Sequence, residues 1–208
     1  MKIVISRYNE NISWINQLNK EPKDIIIYNK GSSLNIPNEF MIENVGREGH
    51  TFYKYIYDHY DELDDHTIFL QGNPFDHLPN TIKIINCFIQ NNYSIRFKIL
   101  SNKLLPCNLI KCKYHKNLPL YKTYQYLFQN NYHNVSFLFG PGGQFIVHKK
   151  EILRHPKEFY LKIIKLLDYS INPIEGFVIE RFHPLIFNHY ITSQSSMVSL
   201  PPLYNNLK

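Results

Sequence analysis

The stretch TIFLQGNPFDH, Thr67 to His77, passes from a short apolar run straight into Gln, Gly, Asn, Pro, Asp and His. Thr67 to Leu70 has the composition of a buried strand, bounded by residues that break it. Gly72 and Pro74 then force a sharp turn, and Asp76 and His77 follow at once. A polar cluster at the end of a buried strand is where open α/β sheets bind ligands. If this reading holds, the neighbouring segments should supply parallel strands and covering helices.

Working outward, they do. Lys2 to Ser6 is a β-branched run suited to a central strand, with Arg7, Tyr8, Asn9 and Glu10 at its carboxyl end. Ile12, Trp14, Ile15 and Leu18 have the spacing of a short helix. DIIIYNKG, Asp24 to Gly31, is a second strand ending in a glycine turn, and FMIENVGREGH adds a shorter extended piece and a loop. TFYKYIYDHYDEL, Thr51 to Leu63, carries aromatic or apolar residues at 52, 53, 56, 57 and 60, a face fit to lie on a sheet, with the helix start near His50 or Thr51. The alternation of strand and helix predicts an α/β fold, a single domain with a central, mostly parallel sheet flanked by helices.

Beyond His77, a helix is expected from about Asn80 to Gln90, and Tyr93 to Pro119 holds extended runs broken by Asn and Pro, or is irregular. LYKTYQYLFQN reads as a helix, Val135 to Phe139 as extended, GPGG as a turn and QFIVHK as a strand. Helices follow near Lys149 or Lys150 and from about Lys157 to Tyr169. EGFVIERFHPLIFN reads as a helix stopped or bent near Pro184, with a loop-like tail from Ile191. No repeat or linker divides the chain, which predicts one domain over residues 1–208.

Composition narrows the function classes. A hydrophobic content of 44% supports a packed core, and the absence of Ala beside abundant Asn, Ile, Lys and Tyr resembles coding bias in an AT-rich genome. The formal charge of +6 favours anionic partners, but the basic residues are dispersed, so no nucleic-acid footprint is expected. Three Cys make no disulfide framework. Cys107, Cys112 and His115 form a loose C-x4-C-x2-H that lacks a fourth zinc ligand, and ordinary thiols are the simpler reading. The N-terminus is too polar for a signal peptide and no run of about 18 apolar residues exists. A soluble, reducing, cytoplasmic setting is expected.

Four clusters could carry chemistry. In SRYNE, Arg7 suits a phosphate and Tyr8 a base. In NVGREGH, two glycines bracket Arg47 and Glu48 before a helix, a place for a diphosphate or simply a turn and cap. In QGNPFDH, Asp76 and His77 suit a divalent metal, or Asp76 a sugar hydroxyl, or the segment is a structural turn. The fourth joins FGPGGQF to FVIERFHP, where Glu180 and His183 share a helix face as base and orienter, as metal ligand and partner, or as part of a salt bridge.

Taken together, VISRYNENISWI, IIIYNKG, NVGREGHTFYKYIYDHYDEL, IFLQGNPFDH, FGPGGQFIVHKKEILRHPKEFY and GFVIERFHPLIF resemble a family known as a domain of unknown function, DUF3431. The shared pattern is R-Y-N-E, Y-N-K-G, N-x-G-R-E-x-H, Q-G-x-P-x-D-H, G-x-Q-F and a late E-x5-I-F, running from about Lys2 to Asn188 with little of it between Tyr93 and Asn117. That family looks like the GT-A glycosyltransferases and is similar to the N-terminal glycosyltransferase domain of a multidomain algal-virus protein. A viral source, and with it a host-cytoplasm location, would suit the AT-rich composition.

The resemblance implies a GT-A-like fold and a transferase that moves a sugar from a nucleotide-sugar donor to a hydroxyl acceptor such as a glycan. It implies donor contacts at Arg7, Tyr8 and Asn9, with Arg47, Gln71, Asn73, Gly143 and Gln144 beside them. Asp76 or Glu180 is the candidate base. Many GT-A enzymes hold Mn²⁺ or Mg²⁺ with an Asp-x-Asp motif, but Gln71-Gly72-Asn73 stands in its place. A divalent cation would then fall to Asp76, His77 and His183, or His189, or positive charge from Arg47 would serve instead. The alternatives are a non-catalytic nucleotide or glycan binder, and a metal-dependent hydrolase using Asp76, His77 and His183.

Overall fold

The computed structural model describes residues 1–91 and 94–187, so His189 and the tail from Ile191 lie outside the described residues. The chain begins with strand β1 (Lys2–Arg7), followed by a 3-10 turn at Ser13–Gln17, β2 (Ile25–Asn29) and β3 (Glu39–Met41). Next come α1 (Arg47–Asp58), β4 (His66–Gln71), α2 (Thr81–Asn91), β5 (Phe97–Ile99) and β6 (Leu105–Asn108). The remainder is α3 (Leu120–Phe128), β7 (Ser136–Phe139), β8 (Phe145–His148), α4 (Lys149–Ile152), α5 (Lys157–Leu167) and α6 (Ile174–Phe187).

Among the described residues, six strands form one sheet in the order β3-β2-β1-β4-β8-β5, and β6 pairs with β7 in a separate ribbon. β1 lies parallel to both β2 and β4, with Ile3 opposite Ile25 on one side and Ile68 on the other. Only β8 runs against its neighbours β4 and β5. Helices cover both faces. Val4, Phe69, Phe145 and Val147 meet Phe52, Tyr53 and Ile56 of α1 and the buried residues of α5 and α6. Ile3, Ile5, Ile68 and Leu70 meet Trp14 of the 3-10 turn and Leu78, Ile85 and Phe88 around α2. Burial on both faces is why the strands read as unbroken apolar runs rather than alternating ones.

At three places the structure sharpens the reading of the sequence. α1 starts at Arg47 rather than at His50 or Thr51, because Gly46, at φ 64°, and Arg47, at φ 53°, turn the chain so that the His50 N–H reaches the Gly46 carbonyl. Of the two readings of the stretch before Pro119, extended runs hold for β5 and β6. β5 has three residues, too few for a periodic signal, and it exists because β8 offers a free edge. Of the two outcomes expected at Pro184, a stop is excluded, because helix α6 continues to Phe187. The ring forfeits one hydrogen bond, to the Glu180 carbonyl, and burial of Val178, Ile179, Phe182, Leu185 and Ile186 offsets that loss.

Candidate functional site

The chain leaves β1 toward β2 across one face of the sheet and enters β4 from α1 on the other. The sheet therefore parts at the carboxyl ends of β1 and β4, the usual position of a ligand crevice in an open α/β sheet. SRYNE, QGNPFDH and the start of α1 all lie at this edge. Because β8 is antiparallel, its beginning, with Gly142, Gly143 and Gln144 before it, arrives at the same edge.

Arg7 is turned inward. Its guanidinium donates to the Glu10, Tyr8 and Ser32 carbonyls and to Asn29 Oδ1, at 3.0, 3.1, 2.9 and 2.8 Å. It ties the end of β1 to the loop after β2. Asn9 joins the same tie, its Oδ1 accepting from the Ser32 N–H at 3.1 Å. Tyr8 is half exposed beside them. The two loops touch so closely that a Cβ on Gly31 would stand 1.9 Å from the Tyr8 carbonyl oxygen.

Gln144 is also structural. Its Oε1 accepts from the Gln71 N–H at 3.1 Å and its Nε2 donates to the Pro74 carbonyl at 3.2 Å. This fully buried amide shapes the loop after β4. In that loop Asn73 and Asp76 are exposed and bonded to each other at 3.2 Å. Gly72 admits the Glu10 carboxylate, which would lie 2.6 Å from any Cβ placed there and which also accepts from the Tyr8 N–H at 2.6 Å.

The densest polar convergence surrounds Gly142 and Gly143. Both have left-handed backbones, at φ 91° and 62°, and the missing side chains leave room on either side. The His77 ring fills the place beside Gly142. Beside Gly143, a Cβ would lie 3.4 Å from Glu48 Oε1, 3.4 Å from His183 Nε2 and 3.5 Å from Glu180 Cγ. Glu180 accepts from the Gly142 N–H at 2.7 Å and pairs with Arg181 at 3.3 Å. Burial first, and then the Glu48 charge, push the Glu180 carboxyl above the usual range. His183 is buried, with Nδ1 2.8 Å from the Tyr53 hydroxyl, and burial pulls its pKa down to about 3, so the ring is neutral.

Positive charge gathers at the start of α1. The Arg47 guanidinium lies 4.3 Å above the Phe177 ring and its Nε is 3.7 Å from Glu48. Lys30, buried at the end of β2, donates to the Val45 carbonyl at 2.5 Å and to that of Arg47. Burial lowers its pKa to about 8, which leaves the ammonium charged at neutral pH. A cation, an arginine and a helix N-terminus thus lie close to two carboxylates.

The candidate residues are therefore only partly brought together. Gly143, Glu180 and His183 converge, and Arg47 lies near them through Glu48. Asp76 and His77 stand on the other side of the glycine turn. Arg7, Asn9 and Gln144 brace the edge with their side chains. Sequence reasoning passed over Glu10, Glu48 and Lys30, although Glu10 and Glu48 lie inside the quoted segments SRYNE and NVGREGH.

Among the described residues, no group of three or more His, Cys, Asp or Glu is placed to hold a metal ion. Asp76, His77 and His183 do not form such a set. At Cys107, Cys112 and His115 the Arg181 guanidinium lies between the latter two, 3.3 Å from Cys112 Sγ and 3.0 Å from His115 Nδ1. No described helix is long and apolar enough to cross a membrane.

Residues 3–88, less than half of the chain, match the family described as Protein of unknown function (DUF3431). That span takes in β1 through most of α2, and so SRYNE, NVGREGH and QGNPFDH. No curated protein and no solved structure matches the chain.

Proposed function

We propose that this chain is a glycosyltransferase that moves a sugar from a nucleotide-sugar donor to a hydroxyl acceptor such as a glycan, on a GT-A-like fold. The observation that carries the proposal is the placement of Glu180 against the Gly142 N–H, beside Glu48 and the start of α1, at the carboxyl edge of an open sheet. Sugar transfer needs a positive end for the leaving diphosphate and a carboxylate for the acceptor hydroxyl. Arg47 and the N-terminus of α1 supply the first, with Lys30 behind them. Glu180 supplies the second, its raised pKa making it a stronger base than an ordinary carboxylate. The Gly142–Gly143 turn lets a sugar approach the backbone, and exposed Tyr8 offers a ring for the nucleobase.

Asp76 is the rival base. Its exposure and its Asn73 partner favour a role in orienting a sugar hydroxyl, with Gln71 and Asn73 beside it. No step is assigned to a metal ion, because the described residues offer no three-ligand set. The test is a thermal-shift screen with UDP-, GDP-, ADP- and dTDP-sugars, each with Mn²⁺, Mg²⁺ or EDTA. A shift confined to one nucleotide is expected and would name the base. The metal arms show whether a cation shared with the diphosphate contributes. Binding with no release or transfer of sugar would identify a non-catalytic binder. No shift with any donor would overturn the proposal.

A further inference from the structure

Outside the site, the chain pairs two thiols around a buried cation. Cys107, in β6, and Cys112 face each other across an isolated antiparallel bridge. The Asn108 N–H donates to the Lys111 carbonyl at 3.3 Å just inside that pair. The cysteines thus occupy a position without mutual hydrogen bonds, where Cα atoms stand about 4.5 Å apart and side chains are closest. That separation falls within the range a disulfide spans, about 4.4–6.8 Å. Cys107 is buried and its thiol points at the Asn108 carbonyl, 3.6 Å away. Cys112 is partly exposed.

Arg181 distinguishes the two sulfurs. Its guanidinium is fully buried over the Phe139 ring, 4.5 Å from the centroid, and its Nε lies 3.3 Å from Cys112 Sγ. The remaining nitrogens reach the Phe177 and Tyr114 carbonyls, Glu180 and His115. Burial raises the Cys112 thiol, but the Arg181 and Cys107 hydrogen bonds outweigh it and hold the thiol below its usual range. Burial first, and then Cys112, push Cys107 up to about 12. Cys112, partly exposed and beside the Arg181 guanidinium, is the more readily ionised sulfur, and Cys107 is the buried neighbour that holds its proton, the arrangement in which an oxidised cysteine is captured by a resolving one.

We propose that Cys107 and Cys112 form a peroxide-sensitive dithiol, with Cys112 the attacking sulfur and Cys107 the resolving one. The Cys112 thiolate attacks one oxygen of hydrogen peroxide, the O–O bond breaks, and the electron pair leaves on hydroxide, which takes up a proton. The product is a sulfenic acid at Cys112. Cys107 sulfur then attacks Cys112 sulfur, the S–O bond breaks, and the Cys107 proton leaves with the hydroxide as water. Two thiols lose two electrons and one peroxide becomes two waters. The same guanidinium that holds Cys112 also holds Glu180, so the dithiol adjoins the candidate site. Its chemistry does not depend on what that site does.

The test uses the full chain, oxidised with hydrogen peroxide and then alkylated under denaturing conditions. Reduced protein should take three alkyl groups, one per cysteine, and oxidised protein only one, mapped to Cys87. The oxidised chain should remain monomeric on a non-reducing gel. In Cys107→Ser, dimedone should trap a sulfenic acid at Cys112. In Cys87→Ser, disulfide formation should be unchanged. Full alkylation after oxidation, or preferential oxidation of Cys87, would overturn the proposal. Dimedone labelling of Cys107 in Cys112→Ser, at the rate seen for Cys112 in Cys107→Ser, would reverse the assigned roles and refute it as well.

Discussion

Replacing Arg7 with Met separates a structural arginine from a donor-binding one. The substitution keeps the aliphatic stem and removes four hydrogen bonds, to the carbonyls of Tyr8, Glu10 and Ser32 and to Asn29 Oδ1. Two of those acceptors keep another partner, since Asn29 Oδ1 still accepts from the Gly31 N–H and the Ser32 carbonyl from Asn29 Nδ2. The Tyr8 and Glu10 carbonyls lose their Arg7 bonds at an edge where water reaches them in part. With charge-assisted bonds at ~1.5–3 kcal/mol each and half of the acceptors still served, the net loss is about 3 kcal/mol. For a domain of this size that corresponds to a fall in Tm of about 6–12 °C. Arg7→Lys should fall between the two, because a point charge cannot fork to several acceptors. Scanning calorimetry, with guanidinium titration at constant slope, measures the loss directly. A Tm within about 2 °C of the parent, combined with a tenfold loss of nucleotide-sugar affinity, would refute the reasoning and return Arg7 to the ligand.

Glu180→Gln should preserve donor binding and lower transfer by about 10²–10⁴-fold, as loss of a general base does; transfer near the parent rate, measured as sugar release or product mass, would shift the role to Asp76. Acid should destabilise the fold through His183 and His50, whose pKa values burial lowers to about 3 and about 4. Both stay neutral when folded, so their contribution is complete above about 6.5 and is lost as pH falls from there through about 4 toward about 3. Denaturant midpoints that do not change between pH values of about 7.5 and 5 would contradict this, and His50→Asn should flatten the profile, since His50 Nδ1 is buried without a hydrogen-bond partner. Gly31→Ala should cost about 1–3 kcal/mol or more, because its Cβ would meet the Tyr8 carbonyl at 1.9 Å. Gly49→Ala, in α1 with its nearest neighbour at 3.4 Å, should be neutral or stabilising by up to ~1 kcal/mol, and equal melting points for the two variants would show that the strand-end loops yield freely.

Much of the architecture was legible along the chain. The runs at Lys2–Ser6, Asp24–Gly31 and Thr67–Leu70 are apolar on both faces, and local composition alone marks such segments as central strands. The 3.6-residue spacing of α1, α2, α3 and α5 is likewise a property of sequence neighbours. The polar edge followed from these, since SRYNE and QGNPFDH come directly after strands. The fate of individual side chains did not follow. Arg7 and Gln144 read as ligand-facing groups, and Glu10, Glu48 and Lys30 attracted no role. A side chain's direction depends on residues 20 to 75 positions away: Arg7 turns inward because Asn29 and Ser32 stand there, and Gln144 because Gln71 and Pro74 do. β5 exists only as the partner of β8. The meeting of Glu48, Gly143, Glu180 and His183 draws on three segments separated by most of the chain. Strand and helix formation were determined locally, by periodicity and burial. The electrostatics of the site were decided by tertiary packing, which sets both the distance between charges and how much water remains to screen them.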